Sequence, residues 1–293
     1  MTETKEIESR SIIQKSKLPD TDYVINPYIG CMFGCAYCYA SFMGRFVGES
    51  FENWGNYLYV KKNAVILAAK ELAAWDSEQR TSSILLSSVT DPYQGAEKQY
   101  RLSEGILRVL AENNYPGLVS ILTKSPLVLR DADILKALTR KEVGVTVTTT
   151  DDKTSRFLEV RAPLASTRID TLKKLNNLGL RTYAFVGPLL PHYRYYPHLL
   201  EELFMRLADA GTKTLFVEHM NINFRIRSRL VDVLSSDLET AQEIYSEAGK
   251  VTHRIAVEKH VTELVSKYGF TLRMQKVLSH QEDKKREFET GKE

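Results

Sequence analysis

Strand-like and helix-like segments alternate along most of this chain, and that alternation limits the folds open to it more than any other feature. Short apolar or β-branched runs lie at 22–29 (DYVINPYI), 82–88 (SSILLSS), 117–123 (GLVSILT), 143–150 (VGVTVTTT), 180–191 (LRTYAFVGPLLP) and 212–220 (TKTLFVEHM). Between them come segments with helical spacing at 63–78, 102–114, 131–140, 168–179 and 197–211. Asp131 stands near the start of the third, and Gly179 and Gly211 stand where the fourth and fifth should stop. Repeats of this kind bury a parallel sheet under crossover helices. Six units are too few to close an eight-stranded barrel. The expected fold is therefore α/β: a partial (βα)6-type TIM barrel with a parallel sheet and a C-terminal helical extension. That extension takes in a helical segment at roughly 238–267 and a strand-like FTLRM at 270–274. No internal boundary is visible. The chain reads as an N-terminal extension (1–21), the barrel (22–278) and a charged C-terminal tail (279–293).

Composition narrows the class of protein. Of 293 residues, 43% are hydrophobic and 26% charged, enough apolar material for a sizeable core. No run approaches the roughly 20 apolar residues of a membrane span. The opening MTETKEIESRSIIQKSK lacks the apolar core of a secretory signal. The expectation is a cytoplasmic protein with no membrane partner. The net charge of +3, from 40 basic and 37 acidic residues, is compatible with nucleic acid but does not argue for it.

The chain has three cysteines, Cys31, Cys35 and Cys38, all inside NPYIGCMFGCAYCYA at 26–40. An odd count in a reducing compartment points away from disulfides and toward metal or catalysis. Three thiolates in one loop suit an iron–sulfur cluster. A structural zinc site is the rival reading, and it would need a fourth Cys or His nearby. The histidines at 192, 198 and 219 are all distant in sequence. Polar residues gather where the other strands end: Ser87, Ser88 and Asp91; Thr123, Lys124 and Ser125; Thr148, Thr149 and Thr150; Gly187; and Glu218, His219 and Asn221. In βα barrels that end carries the chemistry, so these groups should share one mouth with the cysteine loop.

The CxxxCxxC loop, with Tyr37 before its last cysteine and a strand before the loop, resembles the radical S-adenosylmethionine superfamily. NPYIGCMFGCAYCYA, SSVTDPYQGAE, ILTKSPLVLRDADIL and TTTDD with EVRAPLASTRI, over about 22–225, are similar to the branch that contains spore photoproduct lyase. The resemblance implies a [4Fe-4S] cluster on Cys31, Cys35 and Cys38, with one iron left to chelate S-adenosylmethionine. It implies reductive cleavage of that cofactor to a 5′-deoxyadenosyl radical, which takes hydrogen from a substrate. An external electron donor of flavodoxin or ferredoxin type is implied as partner. Tyr37 matches a tyrosine against the cofactor, and Tyr39 one implicated in hydrogen transfer. Thr90 and Asp91 match a Ser-Asp pair at the cofactor's methionine end. Lys124 matches a lysine on its carboxylate. Thr148 or Thr149 matches a serine ending the fourth strand, and Gly187 ends the fifth at the same mouth. Ser88 stands where the lyase has its hydrogen-returning cysteine. A serine O–H bond is too strong for that work, which leaves Tyr39 or Tyr93 as the donor, regeneration of the cofactor, or another reaction. The substrate implied is thus a small molecule, peptide or nucleic acid. Photolesion repair is one alternative, and a non-catalytic iron–sulfur protein is another.

Some features have two readings. Lys124 is either a cofactor contact or a solvated lysine. The triple threonine is either a hydroxyl set or β-propensity. Glu159 and Arg161 read either as a functional pair or as a weak surface ion pair. PHYRYYPH (191–198), with tyrosines at 193, 195 and 196 around Arg194, either stacks on a substrate or packs over the mouth. NFRIRSR (223–229) sets Arg225, Arg227 and Arg229 at alternate positions, as one basic face for phosphates or as a solvated edge. Arg194 and these three are the nucleic-acid candidates.

Overall fold

The apolar run at 22–29 does not form one strand, and the break within it positions everything that follows. The computed structural model describes residues 2–234 and 245–279. After β1 (Glu3–Ile7) and β2 (Ile13–Lys15), β3 (Tyr23–Ile25) enters the main sheet and stops at Asn26-Pro27. Proline offers no N–H to a ladder. The chain leaves as β4 (Tyr28–Ile29) into a second sheet, passes through the cysteine loop, and returns to that sheet as β5 (Tyr57–Lys61). The helix α1 (Ala64–Ala73) and strand β6 (Ile84–Leu86) follow, then α2 (Glu97–Tyr100), α3 (Leu102–Glu112) and β7 (Leu118–Thr123). Next are α4 (Ala132–Ala137), β8 (Arg140–Thr146), α5 (Asp152–Leu158), α6 (Ala165–Asn177), β9 (Thr182–Leu189) and α7 (Pro197–Asp209). The chain continues through β10 (Thr214–His219), α8 (Phe224–Leu234), α9 (Val251–Lys267) and β11 (Thr271–Leu272).

The main sheet has the order β11-β10-β9-β8-β7-β6-β3-β2. The six expected strands, β3 and β6 to β10, lie side by side in sequence order and are all parallel. β11 adds a parallel edge and β2 an antiparallel one. The sheet is open, as an incomplete barrel must be. The N-terminal extension contributes strands to both sheets, since β1 pairs with β5 and β2 with β3. Part of the expected 238–267 helix, and the tail from 280 on, lie outside the described residues. No helix among the described residues is long and apolar enough to cross a membrane.

Alternation along the strands divides their two faces. Ile84, Leu86, Val119, Ile121, Val143 and Val145 are at most 1% exposed and form the face covered by helices. Each contributes roughly 1.5–3 kcal/mol of burial. The other face carries Tyr183, Phe185 and Phe216, whose rings meet edge to face. At the N-terminal ends of the strands Arg273 lies over Tyr183 and Phe216 at 4.8 and 5.4 Å, and pairs with Asp20 and Glu142 at 2.8 Å each. The expected helix stop at Gly179 is present, with φ +73°. Asp131 precedes α4 but makes no side-chain cap, because its carboxylate is taken by Arg130 at 2.7 Å.

Candidate active site at the cysteine loop

The cysteine loop is shaped by backbone that few residues tolerate. Gly30, entering it, has φ +94°, and a Cβ there would stand 2.6 Å from the Tyr57 carbonyl oxygen. Only glycine fits such a position. Three separate parts of the chain then grip the loop. From beyond β6, Thr90 Oγ1 donates to Gly30 O at 2.5 Å, and Gln94 Oε1 accepts from Met32 N at 2.8 Å. From the end of α5, Leu158 O accepts from Ala36 N at 2.8 Å, and from just beyond it Arg161 N donates to Phe33 O at 3.2 Å. From α8, Arg229 donates to the carbonyls of Cys35 and Ala36.

All three thiols are free; Cys31 and Cys35 are buried and Cys38 is half-buried. Burial pushes all three up, Cys35 to about 12, with the Lys124 charge opposing it at Cys35 and Cys38. Low dielectric, a short loop and soft donors fit a metal–sulfur cluster, whose ligands deprotonate only as metal binds.

Lys124 follows the last residue of β7. Its side chain is 15% exposed, with Nζ 3.9 Å from Glu159 Oε1 and 5.8 Å from the centre of the Tyr37 ring. No hydrogen bond from Nζ reaches a described residue. Burial works against this charge; Cys35 and Glu159 outweigh burial and hold the ammonium above the ordinary lysine value. A buried ammonium without hydrogen bonds is costly unless something anionic completes it.

Glu159 is fully buried, which overturns its reading as a surface partner of Arg161. Asp151 caps α5 by accepting from Thr154 N at 2.8 Å, and this delivers Glu159 at the far end of the helix. The Glu159 carboxylate accepts from Tyr37 Oη and Arg168 Nη2, from Ser155 Oγ at 3.0 Å, and from Thr148 Oγ1 at 3.4 Å. Burial opposes its charge, and Arg168 and Lys124 overcome burial and hold its pKa below the ordinary glutamate value. Arg168 is itself 0% exposed. Arg161 instead bonds Gly55 O at 2.5 Å and Asn56 Oδ1 at 2.7 Å.

Asp91 joins two strand ends. Its Oδ1 accepts from Tyr93 N at 2.9 Å and Thr123 Oγ1 at 2.7 Å, and its Oδ2 from Lys124 N at 2.8 Å. Beside it, Ser87 has φ +69°, a left-handed conformation costing about 1–2 kcal/mol. Its buried hydroxyl lacks a partner among the described residues. Asn26 Oδ1 accepts from Ser88 N at 3.0 Å and Val89 N at 3.2 Å, so the residue that breaks the first strand also fixes this turn. Tyr39 Oη donates to Ser88 O. Thr148 and Thr149 are buried past the end of β8, where Tyr193 Oη donates to Thr148 O at 2.6 Å. Gly187 lies within β9, where a Cβ would come 2.3 Å from the Phe185 ring.

These placements sort the expected residues. Tyr37, Tyr39, Ser88, Thr90, Asp91, Lys124 and Thr148 are tied to the cysteine loop or to one another by the bonds above. Tyr93 is not brought to the loop: it is 1% exposed, with the Arg130 guanidinium 5.9 Å from its ring centre. In the tyrosine-rich loop, Tyr193 belongs to the core while Tyr195 and Tyr196 are exposed, and Arg194 lies 5.6 Å from the Tyr195 ring centre. Arg225, Arg227 and Arg229 do not form one basic face: α8 is helical, so Arg227 diverges by about 200° from its neighbours at alternate positions, while Arg225 and Arg229 share a face and lie over the Phe51 ring at 5.8 and 4.1 Å. Arg168, Asn26 and Gln94 are not among the expected residues, and Glu159 is expected with Arg161 where its partner is Arg168. For Arg168 a signal existed: with Thr171, Leu172 and Leu175 it occupies the buried i, i+3, i+4, i+7 stripe of α6.

A family model described as the radical SAM superfamily matches residues 25–195. An uncharacterized protein of Methanocaldococcus jannaschii is 36% identical over 185 residues, covering 63% of this chain and 67% of that one. An uncharacterized protein of Mycobacterium tuberculosis is 30% identical over 209 residues, covering 68% of this chain and 59% of its own length. Among solved structures, spore photoproduct lyase complexed with dinucleoside spore photoproduct superposes with a TM-score of 0.67 at 15% identity, over 92% of this chain and 81% of that one. At that identity the likeness is one of fold.

Proposed function

Because the chain belongs to the radical SAM superfamily, whose members use a [4Fe-4S] cluster and S-adenosylmethionine, we propose that the cysteine loop and the strand ends around Lys124 bind both and act on a substrate still to be identified. When bound, that pair supplies a 5′-deoxyadenosyl radical after reduction by an external donor of flavodoxin or ferredoxin type. Cys31, Cys35 and Cys38 hold the cluster. The observation that carries the reading is Lys124, an ammonium that is 15% exposed and lies beside the cysteine loop with no described hydrogen-bond acceptor at Nζ. A cofactor carboxylate completes it, as charge-assisted bonds do. Tyr37 and Glu159 position that lysine, and Asp91 fixes the backbone from which it projects. Thr90 fixes the cysteine loop, Thr148 and Thr149 line the next strand end, and Ser88 and Gly187 flank the cofactor. Tyr39, hydrogen-bonded to the Ser88 carbonyl, returns hydrogen in place of a thiol.

The test is anaerobic reconstitution with iron and sulfide, then reductant and S-adenosylmethionine, with chromatography for 5′-deoxyadenosine. About four irons per chain and reductant-dependent cleavage are expected. Replacing any of the three cysteines with Ala abolishes both. A stable single-zinc site, or iron uptake without cleavage, overturns the proposal; the latter outcome supports the non-catalytic alternative. A second reading, repair of a nucleic-acid photolesion, is favoured by exposed Tyr195 and Tyr196 beside Arg194. Multiple-turnover conversion of a dinucleotide spore photoproduct to the intact thymine dinucleotide would establish it and refute the argument from Ser88.

A further inference from the structure

α8 does something that its sequence reading did not suggest. Ile226 and Leu230 anchor the helix in the core at 0% and 2% exposure. That leaves Arg229 pointing along the mouth toward the cysteine loop. Its Nη1 donates to Cys35 O at 3.3 Å and to Ala36 O at 3.4 Å, and its Nη2 donates to Phe51 O at 3.3 Å. Its guanidinium lies 4.1 Å from the centre of the Phe51 ring. One planar fork thus engages three carbonyls and an aromatic face, which a lysine cannot do. The topology gives this contact its meaning. The cysteine loop follows β3 and α8 follows β10, and four strands separate β3 from β10 in the open sheet. Arg229 spans the gap that no strand pair closes.

Resting on the cluster assignment above, we propose that Arg229 is a positioning residue that latches the open barrel across its mouth, holds the cysteine loop for metal, and makes the bound cluster easier to reduce. Reduction by a low-potential one-electron donor adds one negative charge to the cluster, and a fixed cation beside the loop favours that state. The Glu52 carboxylate opposes the Arg229 charge, but it is exposed, so water screens it. Lys124 and Arg168, both engaged by Glu159, also carry positive charge near Cys35. Lys124 acts from the turn after β7 and Arg229 from α8.

The test compares reconstituted parent, Arg229→Gln and Arg229→Lys for three properties: iron content, the rate of iron loss to a chelator, and the cluster midpoint potential by spectroscopically monitored reductive titration. Circular dichroism checks the fold of each. Arg229→Gln should lose iron severalfold faster than the parent and titrate at a more negative potential. Arg229→Lys should hold the potential near the parent value while still losing iron faster, because it keeps the charge and not the fork. If the Gln variant fails to fold, the Lys variant decides, and a parent rate of iron loss there overturns the latch. A Gln variant with the parent's potential and the parent's rate of loss overturns the inference. A parent that takes up no iron overturns the cluster assignment instead.

Discussion

Replacing Glu159 with Gln tests whether one buried carboxylate organises the site. The substitution keeps the size, removes the charge, and turns one of two acceptor oxygens into an amide donor. It leaves the Arg168 guanidinium at 0% exposure without its counter-ion. Breaking one side of a buried pair costs about 3–5 kcal/mol, against a total stability of about 5–15 kcal/mol. The other acceptors of Arg168, Pro163 O at 2.7 Å, Ser155 Oγ at 3.0 Å and Thr146 O at 3.4 Å, favour the lower end. At ~2–4 °C per kcal/mol for large domains, the melting temperature should fall by about 6–20 °C. Acid provides a second readout. Burial opposes the Glu159 charge, but Arg168 and Lys124 prevail and depress its folded pKa. Its contribution is therefore complete above the unfolded glutamate value, about 4.3, and is lost as pH falls through the lower folded value. The gap between parent and variant should narrow below about pH 4. Adding Arg168→Met should recover most of the loss, because removing both charges of a buried pair is often neutral. The assay is thermal melting of metal-free protein across pH. A single variant melting within ~2 °C of the parent, or a gap that persists in acid, refutes the reasoning.

Lys124→Ala should keep iron and raise the dissociation constant for S-adenosylmethionine about tenfold or more, from a charge-assisted bond of roughly 1.5–3 kcal/mol; parent-like affinity in equilibrium binding removes Lys124 from the cofactor. Tyr39→Phe should assemble the cluster and bind cofactor as the parent does, yet turn over poorly or divert product to adducts. Unchanged product yields exclude its phenol as the hydrogen donor. Arg273→Met should lower stability by about 1–3 kcal/mol through loss of the nearer of two cations on buried Glu142 and leave cofactor affinity alone; a loss of affinity at parent stability, by denaturant titration and binding, contradicts its placement at the far end of the strands.

The strands and their order were legible because alternation and strand-end polarity are local signals. The cysteine loop was legible because three thiols at that spacing have few uses. What stayed hidden depended on partners distant in sequence. β1 is a polar, exposed pentapeptide that forms a strand only because β5, 54 residues on, offers it an edge. Glu159 was read against Arg161, two residues away, when its partner was Arg168 on the next helix. Arg229 was misjudged through period: NFRIRSR alternates like a strand, but its buried positions, Ile226 and Leu230, are four apart, as a helix requires. Both arginines interrupt apolar helical stripes, and a charge in such a stripe implies a specific acceptor.

The two ends of the open barrel are built for different work. At the N-terminal ends of the strands, Arg273 is spent on internal pairing with Asp20 and Glu142 and on stacking over Tyr183 and Phe216. That end is a plug, and its residues bear on stability. At the C-terminal ends, carbonyls and hydroxyls are consumed in holding the cysteine loop, while Lys124 Nζ and the Ser87 hydroxyl are left without hydrogen-bond partners among the described residues and the three thiols are free of disulfides. Between the ends stands an aromatic wall of Phe185 and Phe216, where Gly187 leaves room for the Phe185 ring. Radical chemistry needs such a surface, because an abstracting radical attacks any reactive hydrogen within reach, and the protein's part is to exclude competing reactions. Aromatic C–H bonds are poor hydrogen donors. Tyr39, a third exposed at the rim and tied to Ser88, is the phenol proposed above to return hydrogen.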